Sequence, residues 1–136
     1  MRTTDWFGKL SSICKAYSNA QWSRGGMDCG TFASDCLAAI GATGYGDELR
    51  GKYGTRVELL KMLSSLGYRD PAGYTASWCE KRGYPEIDPR MAQAGDLGLT
   101  SAGIVCIRMP SGYLAMGESG GLCLVNPCKA WAIEWA

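Results

Sequence analysis

The chain has 136 residues, 46% of them hydrophobic, with five tryptophans and seven tyrosines. This length fits one domain, residues 1–136, around a single hydrophobic core, and the aromatic content argues against a disordered chain. Fourteen basic and 13 acidic side chains give a net charge of +1 without runs of either sign, so neither a nucleic-acid partner nor an anionic membrane is indicated.

Two features bear on location and cofactors. Residues 1–10 lack the apolar core of a signal peptide, and no apolar stretch reaches the roughly 18–20 residues of a membrane span. Seven cysteines are an odd number, and there is neither a Cys-x-x-Cys pair nor a histidine. We therefore expect a protein that is not secreted by a signal peptide, five or six reduced core cysteines, no metal and no cofactor.

The first half of the chain predicts helices. Apolar residues recur at helical spacing from Trp6 to Tyr17, and again from Cys29 to a stop at Gly41. A glycine-rich loop is predicted over residues 41–54. A third helix follows the cap Thr55, and its predicted apolar face is listed as Val57, Leu60, Leu63 and Leu66. A fourth helix is predicted over residues 74–81.

From Gly95 onward the pattern favours strands. Five β-rich runs are separated by turn residues, over residues 96–100, 103–108, 113–116, 122–125 and 130–135. Pro85 and Pro89 bracket a connector before them. Helices followed by strands indicate an α+β fold, with amino-terminal helices packed on one face of a carboxy-terminal antiparallel sheet arranged as a meander.

One segment has the features of a nucleophile site. Asp28 and Cys29 stand at the start of the second helix, where unpaired N–H groups and the helix dipole favour a thiolate. Asp28 is also placed to cap that helix. The alternative left open is a capped helix whose first turn simply buries a thiol.

Residues 22–41, WSRGGMDCGTFASDCLAAIG, resemble the nucleophile segment of the NlpC-type cell-wall cysteine peptidases of the papain-like superfamily. Gly95-Asp96-Leu97 resembles the segment that opens the first sheet strand in that family. The resemblance implies a papain-like fold with Cys29 at the nucleophile position.

The chain also resembles a group of small phage and prophage proteins encoded among tail-assembly genes. The shared segments are the Asp-Cys helix, Arg50-Gly51-Lys52-Tyr53, Gly95-Asp96 and Ala130-Trp131. This resemblance implies tail or hub proteins as partners. It also implies synthesis in the bacterial host cytoplasm, followed by a place in the virion tail.

The general base of the NlpC-type peptidases is absent. In that family a histidine follows the Gly-Asp-Leu segment, whereas residues 101–108 here contain none. Histidine suits this role because its pKa of about 6.5 lets it take and return a proton near neutrality. The remaining candidate bases are the carboxylates of Asp28, Asp35 and Asp96.

Two groups of residues are candidates for partner binding. Arg50 and Tyr53 belong to a small basic segment, whose alternative interpretation is a solvated rim. Trp131 and Trp135 would share one strand face with Ile133. That face either closes the core or offers an exposed aromatic strip.

Three functions follow from these observations. The first is a non-catalytic papain-like pseudoenzyme that serves as a structural or assembly component of a phage tail tip. The second is a cysteine hydrolase that uses Cys29 and a non-histidine base on peptidoglycan or on a tail protein. The third is a small phage protein that binds a host protein.

Overall fold

Four helices occupy the first part of the chain. The structure, a computed structural model, describes residues 2–133. The helices are α1 (Trp6–Ser18), α2 (Cys29–Ile40), α3 (Arg56–Ser65) and α4 (Pro71–Arg82). The fourth helix begins earlier than the sequence pattern predicts, because the Asp70 side chain caps it and Pro71 occupies its first turn.

The predicted apolar face of α3 is only partly correct. Val57 is 60% exposed and Leu66 43% exposed, whereas Leu63 is buried. Leu59 and Met62 pack on the core beside Leu63. This helix therefore touches the core along a narrow stripe of residues spaced three and four apart, and the apolar residues at its two ends face solvent.

The strands form one six-stranded antiparallel sheet in the order β1-β6-β2-β3-β4-β5. They are β1 (Glu86–Ile87), β2 (Leu97–Leu99), β3 (Val105–Met109), β4 (Gly112–Met116), β5 (Leu122–Val125) and β6 (Lys129–Trp131), with a short 3₁₀ helix, η1 (Pro89–Met91), after β1. This arrangement confirms the α+β prediction.

The predicted meander holds from β2 to β5 and is wrong for the last strand. β6 returns across the sheet and pairs with β2, which sets Trp131 opposite Leu97. It also pairs with β1, a strand that the sequence pattern did not predict. Strand β1 lies in the connector between Pro85 and Pro89, and two residues are too few to show an alternating pattern.

The helices and the sheet share one core. α2 packs against α1 and against β3 and β4, and Phe32, Leu37 and Ile40 of α2 are completely or almost completely buried. On β3, alternate residues point to opposite sides, so Val105 and Ile107 join this core while Cys106 joins a smaller cluster.

Trp131 belongs to the core and is only 4% exposed. The core interpretation of its strand face is therefore correct for Trp131 and for the buried Ile133. As a partner-binding candidate Trp131 is not accessible on the surface. Trp135, the other tryptophan proposed for partner binding, lies outside the described residues.

Within residues 2–133, none of the helices has the length and apolar character that crossing a membrane requires.

Candidate functional site

The site is built around a tight turn that leads into α2. Ser23 and Met27 form a β-bridge across this turn, and Gly25 adopts a positive φ of 84°. The Gly25 N–H donates to Asp28 Oδ2 at 2.8 Å. Asp28 Oδ1 accepts from the Thr31 N–H at 2.9 Å, and the Thr31 hydroxyl accepts from the Asp28 N–H. This reciprocal capping box starts α2 at Cys29.

Asp28 receives a third hydrogen bond from a distant residue. The Tyr53 hydroxyl donates to Asp28 Oδ2 at 2.7 Å, and both side chains are buried. Burial raises the pKa of Tyr53, and the hydrogen bond to Asp28 raises it further, so Tyr53 stays a proton donor. The predicted capping role of Asp28 is confirmed, and its carboxylate is occupied by two backbone N–H groups and a phenol.

A second carboxylate of α2 is held by the same segment. Arg50 contacts Asp35 through two parallel hydrogen bonds of 2.7 and 2.9 Å, and the Tyr17 hydroxyl donates to Asp35 at 2.6 Å. Burial raises the pKa of Asp35, but the hydrogen bonds from Arg50 and Tyr17 outweigh it and hold the pKa below its usual value. Residues 50–53 therefore bind α2 at two residues, Asp28 and Asp35, which are about two helical turns apart.

Cys29 lies in the wall of a cavity of about 280 Å³. The cavity is lined by residues of α2 and the turn before it, residues 45–53, α3, α4, the turn between β2 and β3, and the β4–β5 hairpin. Its apolar wall is formed by Leu49, Leu59, Leu63, Ile104 and Val105. Cys29 as a whole residue is half-buried and is one of the residues that line the cavity.

The Cys29 thiol is un-ionised at neutral pH. Burial raises its pKa to about 11, and the charge of Asp28 raises it too, against hydrogen bonding by the backbone of Val105 and Gly30, which lowers it. At pH 7 a pKa near 11 leaves about one thiolate in 10,000. The start of the helix therefore does not produce the thiolate that the sequence position suggests, because burial outweighs the backbone N–H groups.

The segment that lacks histidine does reach the cavity. Ala102, Gly103, Ile104 and Val105 all line it. None of these residues carries a titratable side chain, so the cavity wall next to Cys29 on this side contains no group that could take a proton.

Asp96, the third candidate base, serves another purpose. Its carboxylate accepts hydrogen bonds from the Arg2 guanidinium at 3.2 Å, the Gln93 N–H at 2.8 Å and the Ile133 N–H at 3.0 Å. It is buried and is not among the residues that line the cavity. Asp96 thus connects the amino-terminal segment, through Arg2, with the start of β2 and with Ile133 after β6.

The seven cysteines are all free thiols, and five of them lie in the core clusters or pack against them, in agreement with the five or six predicted. Three are buried (Cys36, Cys79 and Cys106), two are half-buried (Cys14 and Cys29) and two are exposed (Cys123 and Cys128). Over residues 2–133, no group of three or more Cys, Asp or Glu side chains is arranged to hold a metal ion.

Sequence reasoning missed two parts of the site. Gly25 lies so close to residues 50–53 that a Cβ there would stand 2.2 Å from the Tyr53 carbonyl oxygen. Nothing in the sequence of residues 24–26 indicated this contact. Tyr45 and Leu49 also line the cavity, from a segment predicted only as a loop.

Comparisons with known proteins place the chain in a family. No curated protein and no solved structure matches it. A protein family described as "Domain of unknown function (DUF6950)" matches residues 1–135. The match spans nearly the whole chain, and the protein therefore belongs to the DUF6950 family.

Proposed function

We propose that this protein is a non-catalytic papain-like module that serves as a structural or assembly component of a phage tail tip. The observation that carries the proposal is the environment of Cys29. Its thiol has a pKa of about 11, and the cavity wall formed by residues 102–105, in the region where the NlpC-type family carries its histidine, presents the apolar Ile104 and Val105. A cysteine hydrolase requires a thiolate or an adjacent base that creates one.

The engagement of the three candidate bases supports the same conclusion. Asp28 caps α2 and binds Tyr53, Asp35 binds Arg50 and Tyr17, and Asp96 binds Arg2 and two backbone N–H groups. Each carboxylate has a structural use that a proton-transfer role would disturb. General base catalysis also needs hydrogen-bond reach to the nucleophile, and among residues 2–133 no hydrogen bond joins any of them to the Cys29 thiol.

The tail-tip part of the proposal rests on the resemblance to small phage proteins. The Arg-Gly-x-Tyr segment that carries it holds α2 through Asp28 and Asp35, which is a scaffolding use of the motif. We propose that the protein is made in the host cytoplasm and carried into the virion tail, where it contacts other tail or hub proteins.

Catalysis is tested with purified peptidoglycan sacculi and the purified protein. Release of new amino groups is measured over time, with the Cys29→Ala variant as the control. We expect the wild type and the variant to give the same background. Cleavage by the wild type alone would contradict the proposal and establish the hydrolase.

The place in a particle is tested separately by mass spectrometry of gradient-purified phage particles from the bacterium that encodes the protein. We expect the chain at a fixed ratio to the other tail proteins. If particles still formed normally after the gene was deleted, a structural or assembly role would be contradicted.

A further inference from the structure

We infer that the cavity beside Cys29 binds an apolar side chain of a partner peptide whose neighbouring residues are acidic. The inference rests on the proposed non-catalytic function, because a hydrolase would use this cavity for a substrate. The feature that carries it is an apolar cavity with arginine side chains at its edge.

The cavity walls favour an apolar group because their tyrosine hydroxyls are already bonded within the protein. The Tyr45 hydroxyl pairs with the Thr75 hydroxyl at 2.8 Å. Tyr53 donates to Asp28 at 2.7 Å, and Tyr74 donates to Glu48 at 2.7 Å. A polar ligand would therefore lose hydrogen bonds to water without replacing them with these hydroxyls, whereas an apolar side chain loses none.

The volume limits the size of the occupant. At about 280 Å³ the cavity is slightly smaller than the sites of about 300–1,000 Å³ that bind drug-sized ligands. It has room for one large side chain, such as phenylalanine, together with the backbone next to it. Anchors of this kind supply much of the binding energy at protein interfaces.

The edge of the cavity selects for acidic neighbours. Arg24 and Arg56 line it, and the Arg24 guanidinium lies over the Trp22 ring, 4.8 Å from its centroid. Over residues 2–133, neither arginine forms an ion pair with a carboxylate. Two acidic residues, Asp28 and Glu118, line the cavity. Asp28 is buried and its carboxylate already accepts hydrogen bonds, one of them from Tyr53, so Glu118 is the acidic side chain that a ligand would meet at the edge. Carboxylates beside the anchor would meet these two arginines.

The test uses three blocked synthetic peptides with the central sequences Glu-Phe-Glu, Lys-Phe-Lys and Glu-Ala-Glu. Binding to the full chain is followed by methyl NMR shifts of Leu63, Ile104 and Val105, which report on the cavity. We expect Glu-Phe-Glu to shift these methyls and to bind about tenfold or more tightly than either other peptide. Added salt should weaken this binding.

Charge reversal at the cavity edge provides the matched comparison. Arg56 is exposed, so Arg56→Glu should fold normally and weaken Glu-Phe-Glu binding about tenfold, while improving binding of Lys-Phe-Lys. Arg90→Glu is the control, because Arg90 is also exposed and does not line the cavity. It should bind as the wild type does.

Three results would overturn the inference: no methyl shifts with any peptide at up to about 5 mM, equal binding of the three peptides, or shifts with sodium decanoate but not with Glu-Phe-Glu. The last would identify a site for small amphiphiles. Each sample is also examined by mass spectrometry. Cleavage of a bound peptide, absent in Cys29→Ala, would contradict the proposed function while supporting the binding preference.

Discussion

Cys29, the first residue of α2, combines a position at a helix start with burial of its side chain. The start of a helix favours a thiolate, but burial and the adjacent Asp28 act in the opposite direction and raise the pKa to about 11. The sequence predicted both the helix start and the cap, because these depend on neighbouring residues. It did not predict the burial, since the walls around Cys29 come from residues 45–53, α3 and the β2–β3 turn.

Replacing Asp28 tests whether this residue opposes ionisation of the Cys29 thiol through its charge or promotes it as a base. Asparagine is also a good helix cap, so Asp28→Asn should keep α2 while removing the negative charge. We expect a lower Cys29 pKa and alkylation at pH 8 about threefold faster or more, measured by site-resolved mass spectrometry. Asp35→Asn is the control and should leave the Cys29 rate unchanged. Slower alkylation in Asp28→Asn would identify Asp28 as a base.

Glycine is needed at position 25 for two reasons, the positive φ of the backbone and the close approach of Tyr53. An alanine would have a positive φ and a Cβ 2.2 Å from the Tyr53 carbonyl oxygen. The control is Gly83→Ala, with a φ of 75° and nothing within 4 Å of the added Cβ. We expect the control to lose about 1–2 kcal/mol of unfolding free energy and Gly25→Ala about 3 kcal/mol or more, measured in urea. Equal losses would contradict the close contact.

At the scale of elements, α2 is held by the loop that follows it. The Arg50–Tyr53 segment was predicted as a basic patch or solvated rim, but two of its side chains face α2. Charge and spacing along the chain could not show this, because the partners Asp28 and Asp35 are acidic residues of a different element. The predicted strand order was wrong for a similar reason. β6 pairs with β2, a strand about thirty residues earlier, rather than with β5, its neighbour in sequence.

The Arg50–Asp35 contact should make stability depend on pH. The pKa of Asp35 is lowered, so its contribution is complete above the unfolded value of about 4 and is lost as pH falls through the lowered folded value. The side chains are 39% and 29% exposed, which limits the contribution to about 1 kcal/mol or less. Urea unfolding should show Arg50→Gln less stable than wild type at pH 7, with the difference shrinking towards pH 3.

The Arg90–Asp88 pair, whose side chains are 88% and 42% exposed, supplies the control for this measurement. Arg90→Gln should leave stability at pH 7 unchanged within error. A difference between Arg50→Gln and wild type that stayed constant from pH 7 to pH 3 would contradict a role for the Asp35 charge.

At the scale of the whole molecule, Asp96 connects segments that are far apart in sequence. It joins Arg2, Gln93 and Ile133, so the two ends of the described chain meet at the start of β2. The Gly-Asp pattern located this residue, and the α+β layout followed from helices preceding strands. Its partners could not be predicted, because a single buried arginine near the amino terminus leaves no periodic pattern.

Removing the Asp96 charge should destabilise the entire fold. Asp96→Asn removes the carboxylate from a charge-assisted hydrogen bond with the buried Arg2, and we expect a loss of about 2 kcal/mol in urea unfolding. The Arg2→Met variant should also lose stability, and the double variant should lose less than the two single losses added together. Simple additivity would contradict direct coupling between these residues.

The most direct test of the central claim, that Cys29 is an un-ionised thiol without a base, is its alkylation rate between pH 6 and pH 11, resolved by mass spectrometry. Exposed Cys123 serves as the internal reference. The structure predicts that Cys29 reacts more slowly than Cys123 at pH 7, and that its rate is still rising near pH 11. A Cys29 that reacts faster than Cys123 at pH 6–7 would contradict the claim and restore a cysteine hydrolase.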